Sequence, residues 1–253
     1  MISREVIIFY NKNFGLNLPS LLLRVIRDVY QAIMHASGYL MLHMSAVVLN
    51  GKAIAFMGNK GAGKSSLLLR FMKNGFGFLA NDRVFVNIEE RKIFSYPIAC
   101  LILKDFMTDL PGCLLNSLSE NGLMLNYHSD PNYDKVGFTP KELTNGFKVP
   151  WVHLSYLDKI YLIDSNSNTT SSSDLDEVGT EKRNVISNNV FTPNDPTYLF
   201  NWVNSSKIVS PIPNDIIDKL IENSMIGNFC FSWEGLNEFS HSDFSGMFSN
   251  SFN

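Results

Sequence analysis

The sequence predicts an α/β domain with a mixed β-sheet, and three observations carry that prediction. Two β-prone runs, "YLMLHMSAVVLN" and "KAIAFM", are joined by Asn50-Gly51; a glycine-rich loop separates "AIAFM" from the amphipathic "SSLLLRF"; and strand-like and helical runs follow one another over the 253 residues. Asn-Gly tolerates the positive φ angles of a tight hairpin turn, so the first two strands are expected to be antiparallel neighbours. Strands and helices interleaved in this way favour one layered α/β domain over residues 1–253.

The elements follow in order. Residues 1–40 are expected to hold an N-terminal strand and a helix, and 40–88 the core around the glycine loop. "PSLLLRVIRDVYQAIMHASG" carries Leu22, Val25, Ile26, Val29 and Ile33 at helical spacing, starts after Pro19 and Ser20 and stops at Gly38; it reads as a helix packed on the core. After the loop a helix runs from about Lys64 to Lys73 and closes at Asn74-Gly75. "GFLA", "RVFVNI", "PIACLIL" and "KIYLID" read as strands, and "PNDIIDKLIENS" as a late helix. "DSNSNTTSSSDLDEVGTEKR", residues 164–183, is the clearest low-complexity segment and is expected to be a flexible surface loop. The tail "SHSDFSGMFSNSFN" is expected to be loose. Trp151 and His153 alternate as on a strand and read as packing residues.

Composition narrows the function classes. With 45% hydrophobic residues the chain buries one good core. A formal net charge of −3, with acids and bases interspersed, argues against a non-specific nucleic-acid binder, which needs a basic surface. Cys100, Cys113 and Cys230 are odd in number and share no CxxC spacing, so neither a disulfide framework nor a zinc site is indicated. "MISREVIIFYNKNFG" lacks a signal peptide's long apolar core, and the apolar region Leu18–Val48 is interrupted by Arg24, Arg27 and Asp28. The expectation is a cytoplasmic protein with no membrane or nucleic-acid partner.

Gly58-Asn59-Lys60-Gly61-Ala62-Gly63-Lys64-Ser65 satisfies G-x-x-x-x-G-K-[ST], between a strand and a helix. Glycines let successive backbone N–H groups turn inward around phosphate oxygens, and the helix that opens there adds its positive dipole end. Gly58 through Ser66 are the candidate nucleotide-binding residues. Lys64 is placed to reach the β- and γ-oxygens of ATP, and the Ser65 hydroxyl to ligate Mg²⁺. Lys60 reads as a solvated loop residue.

Two further residues stand close to the loop in sequence. Asp82, in "LANDRV", follows Lys64 by fewer than twenty residues, enough for one helix and one short strand to return the chain to the phosphate. His43, in "LHMSAVVLNGKAIAFMG", begins the strand that pairs with the one feeding the loop; antiparallel pairing puts it beside Gly58.

Taken together, His43, the strand–turn–strand, Gly58 to Ser65 and "FGFLANDRVFV" resemble the HPr kinase/phosphorylase superfamily, which is related in fold to phosphoenolpyruvate carboxykinases. The resemblance covers roughly a fifth of the chain, about Leu40 to Ile88. It implies an HPr kinase-like P-loop domain with a mixed sheet, in which Lys64 binds the transferred phosphoryl group, Ser65 and Asp82 organise the metal, and His43 serves catalysis. The acid that acts as general base in the family aligns with Asn81, and the family's downstream Glu-x-Arg-Gly-Leu-Gly-like segment has no counterpart here. The resemblance therefore points to relatives that phosphorylate acceptors other than HPr, and it leaves a homo-oligomer open, since HPr kinases assemble into oligomers.

An asparagine amide does not accept a proton at physiological pH. Either His43 or Asp82 takes over as base, or the acceptor is already anionic, or the protein binds nucleotide without transfer. The expected function is an ATP-dependent, Mg²⁺-requiring kinase acting on a hydroxyl of a peptide, protein or small biosynthetic intermediate; the alternative is a non-catalytic nucleotide-binding regulatory or partner subunit. Lys135, Lys141 and Lys148 are candidates for a downstream basic residue but read better as surface lysines. His128 reads as a surface-loop residue, and neither His35 nor His241 has a chemical context.

Overall fold

The computed structural model describes residues 18–96, 98–103, 110–115, 135–165, 170–175, 179–191, 213–223 and 225–247. The strand expected before residue 18 and His128 lie outside them. The chain is a mixed α/β protein. Its main sheet combines antiparallel pairs with two parallel ones, and a separate two-stranded ribbon stands beside it.

The first helix, α1 (Leu18–Ala36), buries Val25, Asp28, Gln31 and Met34, three residues apart, against β1 (Leu40–Leu42) and its neighbours. Met34 and Tyr30 meet Met41, Phe85 and Tyr96 in a small core of their own. Ile26 and Ile33, expected to face inward, are 60% and 57% exposed. The inward stripe includes two polar residues, of which buried Gln31 reaches Met41 Sδ at 3.0 Å.

β2 (Ser45–Leu49) and β3 (Lys52–Met57) form the expected hairpin, with Leu49 opposite Lys52 and Ser45 opposite Phe56. Asn50 and Gly51 take φ of 50° and 78°, the two positive values a tight turn of this kind requires. β3 then delivers the glycine loop to α2 (Lys64–Lys73). This helix ends as expected at Asn74-Gly75: Gly75 has φ 87°, its N–H reaches Met72 O, and Phe76 N–H reaches Phe71 O. The apolar contact that accompanies such a stop is the Phe71–Phe76 ring pair at 5.0 Å.

The chain returns as β4 (Gly77–Ala80), β5 (Val84–Asn87) and β6 (Lys92–Ser95). The expected single strand over 39–50 is in fact two, β1 and β2, bent apart at His43-Met44, and β4 and β5 are bent apart at 81–83. Both halves remain paired antiparallel across the bend, Leu42 opposite Val84 on one side and Ala46 opposite Ala80 on the other. Strands that cross between sheet segments at a corner bend in this way. Pairing runs β11-β1-β5-β6-β9-β3-β2-β4, so the two corners join the opposite ends of the path covalently and the sheet curls on itself.

β7 (Cys100–Leu103) and β8 (Lys135–Phe138) make the separate ribbon, followed by α3 (Pro140–Phe147). The sequence reading has no helix here, although Thr139-Pro140-x-Glu142 carries a start signal that the structure uses as a full capping box. β9 (Leu154–Asp164) is longer than expected and pairs in parallel with β3 on one edge; on the other it pairs with β6 and then in parallel with β12 (Ile226–Cys230).

Two expectations fail. The Ser/Asn-rich segment 164–183 contains a strand, β10 (Ser171–Asp174), paired with β12, and runs into α4 (Thr180–Asn188), which leads to β11 (Val190–Phe191). A ladder is made by backbone groups, so the partner strand rather than side-chain composition decides it. After α5 (Pro213–Glu222), the expected late helix, and β12 comes α6 (Trp233–Glu238), and the supposedly loose tail that follows forms α7 (His241–Ser245). Phe244 is fully buried against Phe71, Phe76 and Phe239, and Tyr161 Oη donates to Met247 O at 2.8 Å.

Phe244→Ala is expected to destabilise the fold by about 3–5 kcal/mol, the usual cost of emptying a buried phenyl site. Urea unfolding of the full chain measures this; a loss below about 1 kcal/mol would show that the tail lies outside the cooperative core.

Candidate active site

All strands that bear on the glycine loop present one end to it. β4, β9 and β12 run in the same direction as β3, with β2 antiparallel between β3 and β4. The carboxyl ends of these four strands therefore open onto the loop, where open α/β sheets bind their ligands.

The loop is tightly built. Gly61 and Gly63 take φ of 85° and 93°, and Ala62 N–H closes a turn on Asn59 O at 3.1 Å. A Cβ on Gly58 would lie 2.8 Å from Ile163 Cγ1 of β9, so only glycine fits there. α2 starts at Gly63 with no side-chain cap, which leaves its first N–H groups available to an anion. The buried Ser45 hydroxyl of β2 donates to Lys64 O at 3.0 Å and ties that first turn to the sheet. Lys64 is 8% exposed, and its Nζ donates to Gly58 O at 2.7 Å and Asn59 O at 3.1 Å. Burial lowers its pKa and the Asp82 charge works the other way. A buried ammonium held by loop carbonyls is a charge suited to an anionic ligand.

His43 and Asp82 sit on the two facing corners of the bent ribbon. His43 N–H donates to Asn189 O at 2.8 Å, and His43 Nε2 lies 3.1 Å from Asp82 Oδ1. Arg83 Nε is 3.3 Å from Asp82 Oδ2, and its guanidinium carbon stands 4.6 Å over the Phe191 ring, which also lies 6.2 Å from the His43 ring. Burial alone would raise the Asp82 pKa, but the hydrogen bond and charge of His43, joined by Arg83, outweigh it and hold the carboxyl below the usual carboxylate range. Asn81, next along the corner, is 8% exposed, and its Oδ1 has no hydrogen-bond partner.

His43, Lys64, Asn81 and Asp82 line one cavity of about 480 Å³, together with Lys60, Gly61, Gly63, Ser65 and Ser66. That volume suits a nucleotide-sized ligand. Gly58, Asn59 and Ala62 shape the loop but are outside the lining. Lys135, read from sequence as a surface lysine, lines the cavity from the far ribbon, with Leu103 of β7 opposite it and Leu101 also in the lining. Lys141 and Lys148 are exposed on and after α3 and do not line it. Three lysines against one carboxylate make the lining cationic in a chain of net charge −3. Trp233, which the sequence reading missed altogether, completes the wall; no local signal marks it, since it arrives through the pairing of β12 with β9.

The other described histidines lie outside this cavity. His35 Nδ1 meets Tyr39 O at 3.0 Å and burial depresses its pKa; His153 packs 4.4 Å from the Trp151 ring, and His241 lies 5.2 Å from Phe76. Among the described residues no group of three or more His, Cys, Asp or Glu side chains is placed to hold a metal, and no helix is long and apolar enough to cross a membrane.

Because the folded-state pKa of Asp82 lies below its unfolded value, the pair contributes stability that is present above the ordinary carboxylate pKa and is lost as pH falls through the folded one. Followed by carbon NMR, the Asp82 carboxyl should titrate below the ordinary range in the native protein and move upward in His43→Ala. An unchanged titration in the variant would remove His43 as the cause.

No family model matches the chain, and no curated protein sequence matches it.

Proposed function

We propose that this chain is an ATP-dependent kinase with an HPr kinase-like fold, transferring the γ-phosphoryl group to a hydroxyl of a peptide, protein or small intermediate. The observation that carries the reading is the His43–Asp82 pair, 3.1 Å apart, in one cavity with Lys64 and Ser65 of a complete phosphate loop. The buried, unpartnered Asn81 Oδ1 in the same wall supports a ligand there, since such an atom without a partner is costly.

The residues fit Mg²⁺ as well. Ser65 and Asp82 offer hard oxygen donors to one cavity, and Mg²⁺ characteristically takes one or two protein ligands and completes its shell with phosphate and water oxygens. When bound, the ion would neutralise charge on the β- and γ-phosphate oxygens.

Each side chain then has a role. Lys64 exchanges the Gly58 and Asn59 carbonyls for phosphate oxygens. Asp82, held anionic, is a good metal ligand and a poor base. Asn81, through its side-chain amide, orients the acceptor in this wall without taking the hydroxyl proton. His43 takes that proton: with Nε2–H donated to Asp82, the lone pair lies on Nδ1, and the imidazolium that forms is stabilised by the carboxylate. The acceptor oxygen bonds to the γ-phosphorus as the bond to the β,γ-bridging oxygen breaks, and ADP leaves. Lys60 and Lys135 add positive charge from either side of the loose transition state.

Incubation with γ-labelled ATP and candidate acceptors tests this. Label is expected to leave ATP for an acceptor, and Lys64→Ala to abolish the transfer. His43→Ala is expected to lower turnover by about 10²-fold, the low end of general-base effects, with nucleotide affinity nearly unchanged. Asn81→Asp should make turnover less sensitive to loss of His43, because it places a second base at the acceptor. Tight ATP binding with neither transfer nor hydrolysis would replace the kinase with a nucleotide-binding regulator.

A further inference from the structure

We infer that Trp233 is the platform on which the nucleobase of the bound nucleotide stacks; this rests on the reading of the cavity as a nucleotide site. The argument begins with which side of the loop each feature occupies. β3 feeds the loop and has β2 on one edge and β9 on the other. His43 immediately precedes β2, and Asp82 follows β4, the strand beyond it. Trp233 follows β12, which lies beyond β9. The loop therefore stands between the acid–imidazole pair and the indole. A triphosphate lying along the loop with its γ end toward His43 and Asp82 sends its ribose and base toward the other flank, where Trp233 is.

The indole is held for that task. A Cβ on Gly63 would lie 2.8 Å from Trp233 Cζ2 and 2.9 Å from Cη2, so the benzo edge rests directly on the turn that opens α2. Phe231 meets the ring edge-to-face at 5.0 Å. Ser232, between the two aromatics, caps α6 by accepting from Gly235 N–H and fixes the backbone that carries the indole. Yet Trp233 is only half-buried and lines the cavity. A rigid, part-exposed indole beside a phosphate cradle offers a π-surface to any base without hydrogen-bond readout. The other apolar wall of the cavity is formed by Leu101 and Leu103 of β7.

Binding of ATP and of inorganic tripolyphosphate to the full chain, each with Mg²⁺, tests the inference without any requirement for turnover. In a background with Trp151 and Trp202 changed to Phe, ATP is expected to quench the remaining tryptophan emission saturably, and tripolyphosphate to bind without quenching. Trp233→Ala should weaken ATP by roughly 5- to 150-fold, the range of a single base–aromatic stack, while Trp233→Phe restores most of it and tripolyphosphate stays within about twofold throughout. Equal weakening of both ligands by Trp233→Ala would make the indole a support for the loop only and overturn the inference, as would ATP binding that leaves Trp233 emission unchanged. Failure of the wild-type chain to bind either ligand would overturn the nucleotide reading, and this inference with it.

Discussion

The corner of the bent antiparallel ribbon is the constraint on which the rest of the site depends. β1 and β2 on one side, and β5 and β4 on the other, remain in register across the bend, Leu42 with Val84 and Ala46 with Ala80. The residues between them, 43–44 and 81–83, therefore have to face each other, and His43 and Asp82 meet as a consequence of pairing rather than of loop flexibility. The β2–β3 hairpin holds its register to Ser45 and Phe56 and so brings the corner close to the start of the glycine loop. Ser45, the first residue past the corner, holds the opening turn of α2 through Lys64 O. One ribbon thus positions imidazole, carboxylate, amide and helix start with respect to one another. Groups held between paired strands are placed more accurately than groups on free loops, which is what the phosphoryl transfer proposed above would demand.

Electrostatics divides labour among these groups. The Asp82 carboxyl is less than fully buried, yet His43 and Arg83 hold it anionic against the cost of its surroundings. Arg83 is in turn fixed over Phe191, and Phe191 is fixed by the pairing of β11 with β1, so the orientation of the acid is supported from outside the cavity. On the opposite side Lys64 is buried among loop carbonyls, and Lys60 and Lys135 leave the lining with an excess of positive charge. That asymmetry suits an anionic ligand lying along the loop.

The fold also shows how a small set of long-range pairings absorbs segments whose composition argues against order. β12 organises both β10, from the Ser/Asn-rich stretch, and the aromatic turn that follows it. The tail contributes Phe244 and Met247 to the same core that buries α2, so the helix behind the glycine loop is clamped by the last described residues of the chain. The loop's support extends from residue 45 to residue 247.

Local chemistry in the sequence determined the hairpin, the glycine loop, α2 with its Asn74-Gly75 stop, and the approach of His43 to the loop. Each is set by residues within a few positions of one another: positive φ at Asn50 and Gly51, the missing Cβ at Gly58, Gly61 and Gly63, and the antiparallel count from Leu49 back to Ser45, two residues short of His43. The 3.1 Å contact with Asp82, the corner that makes it, the arrival of Lys135 from a separate ribbon, and Trp233 on the far flank were decided only by tertiary structure. The same holds for the order imposed on 171–174 and 241–245 and for the outward turn of Ile26 and Ile33. The physical reason is common to all of them. Backbone pairing and burial are settled by partners distant in sequence, and no local pattern encodes which strand β12, β10 or the 81–83 corner will meet.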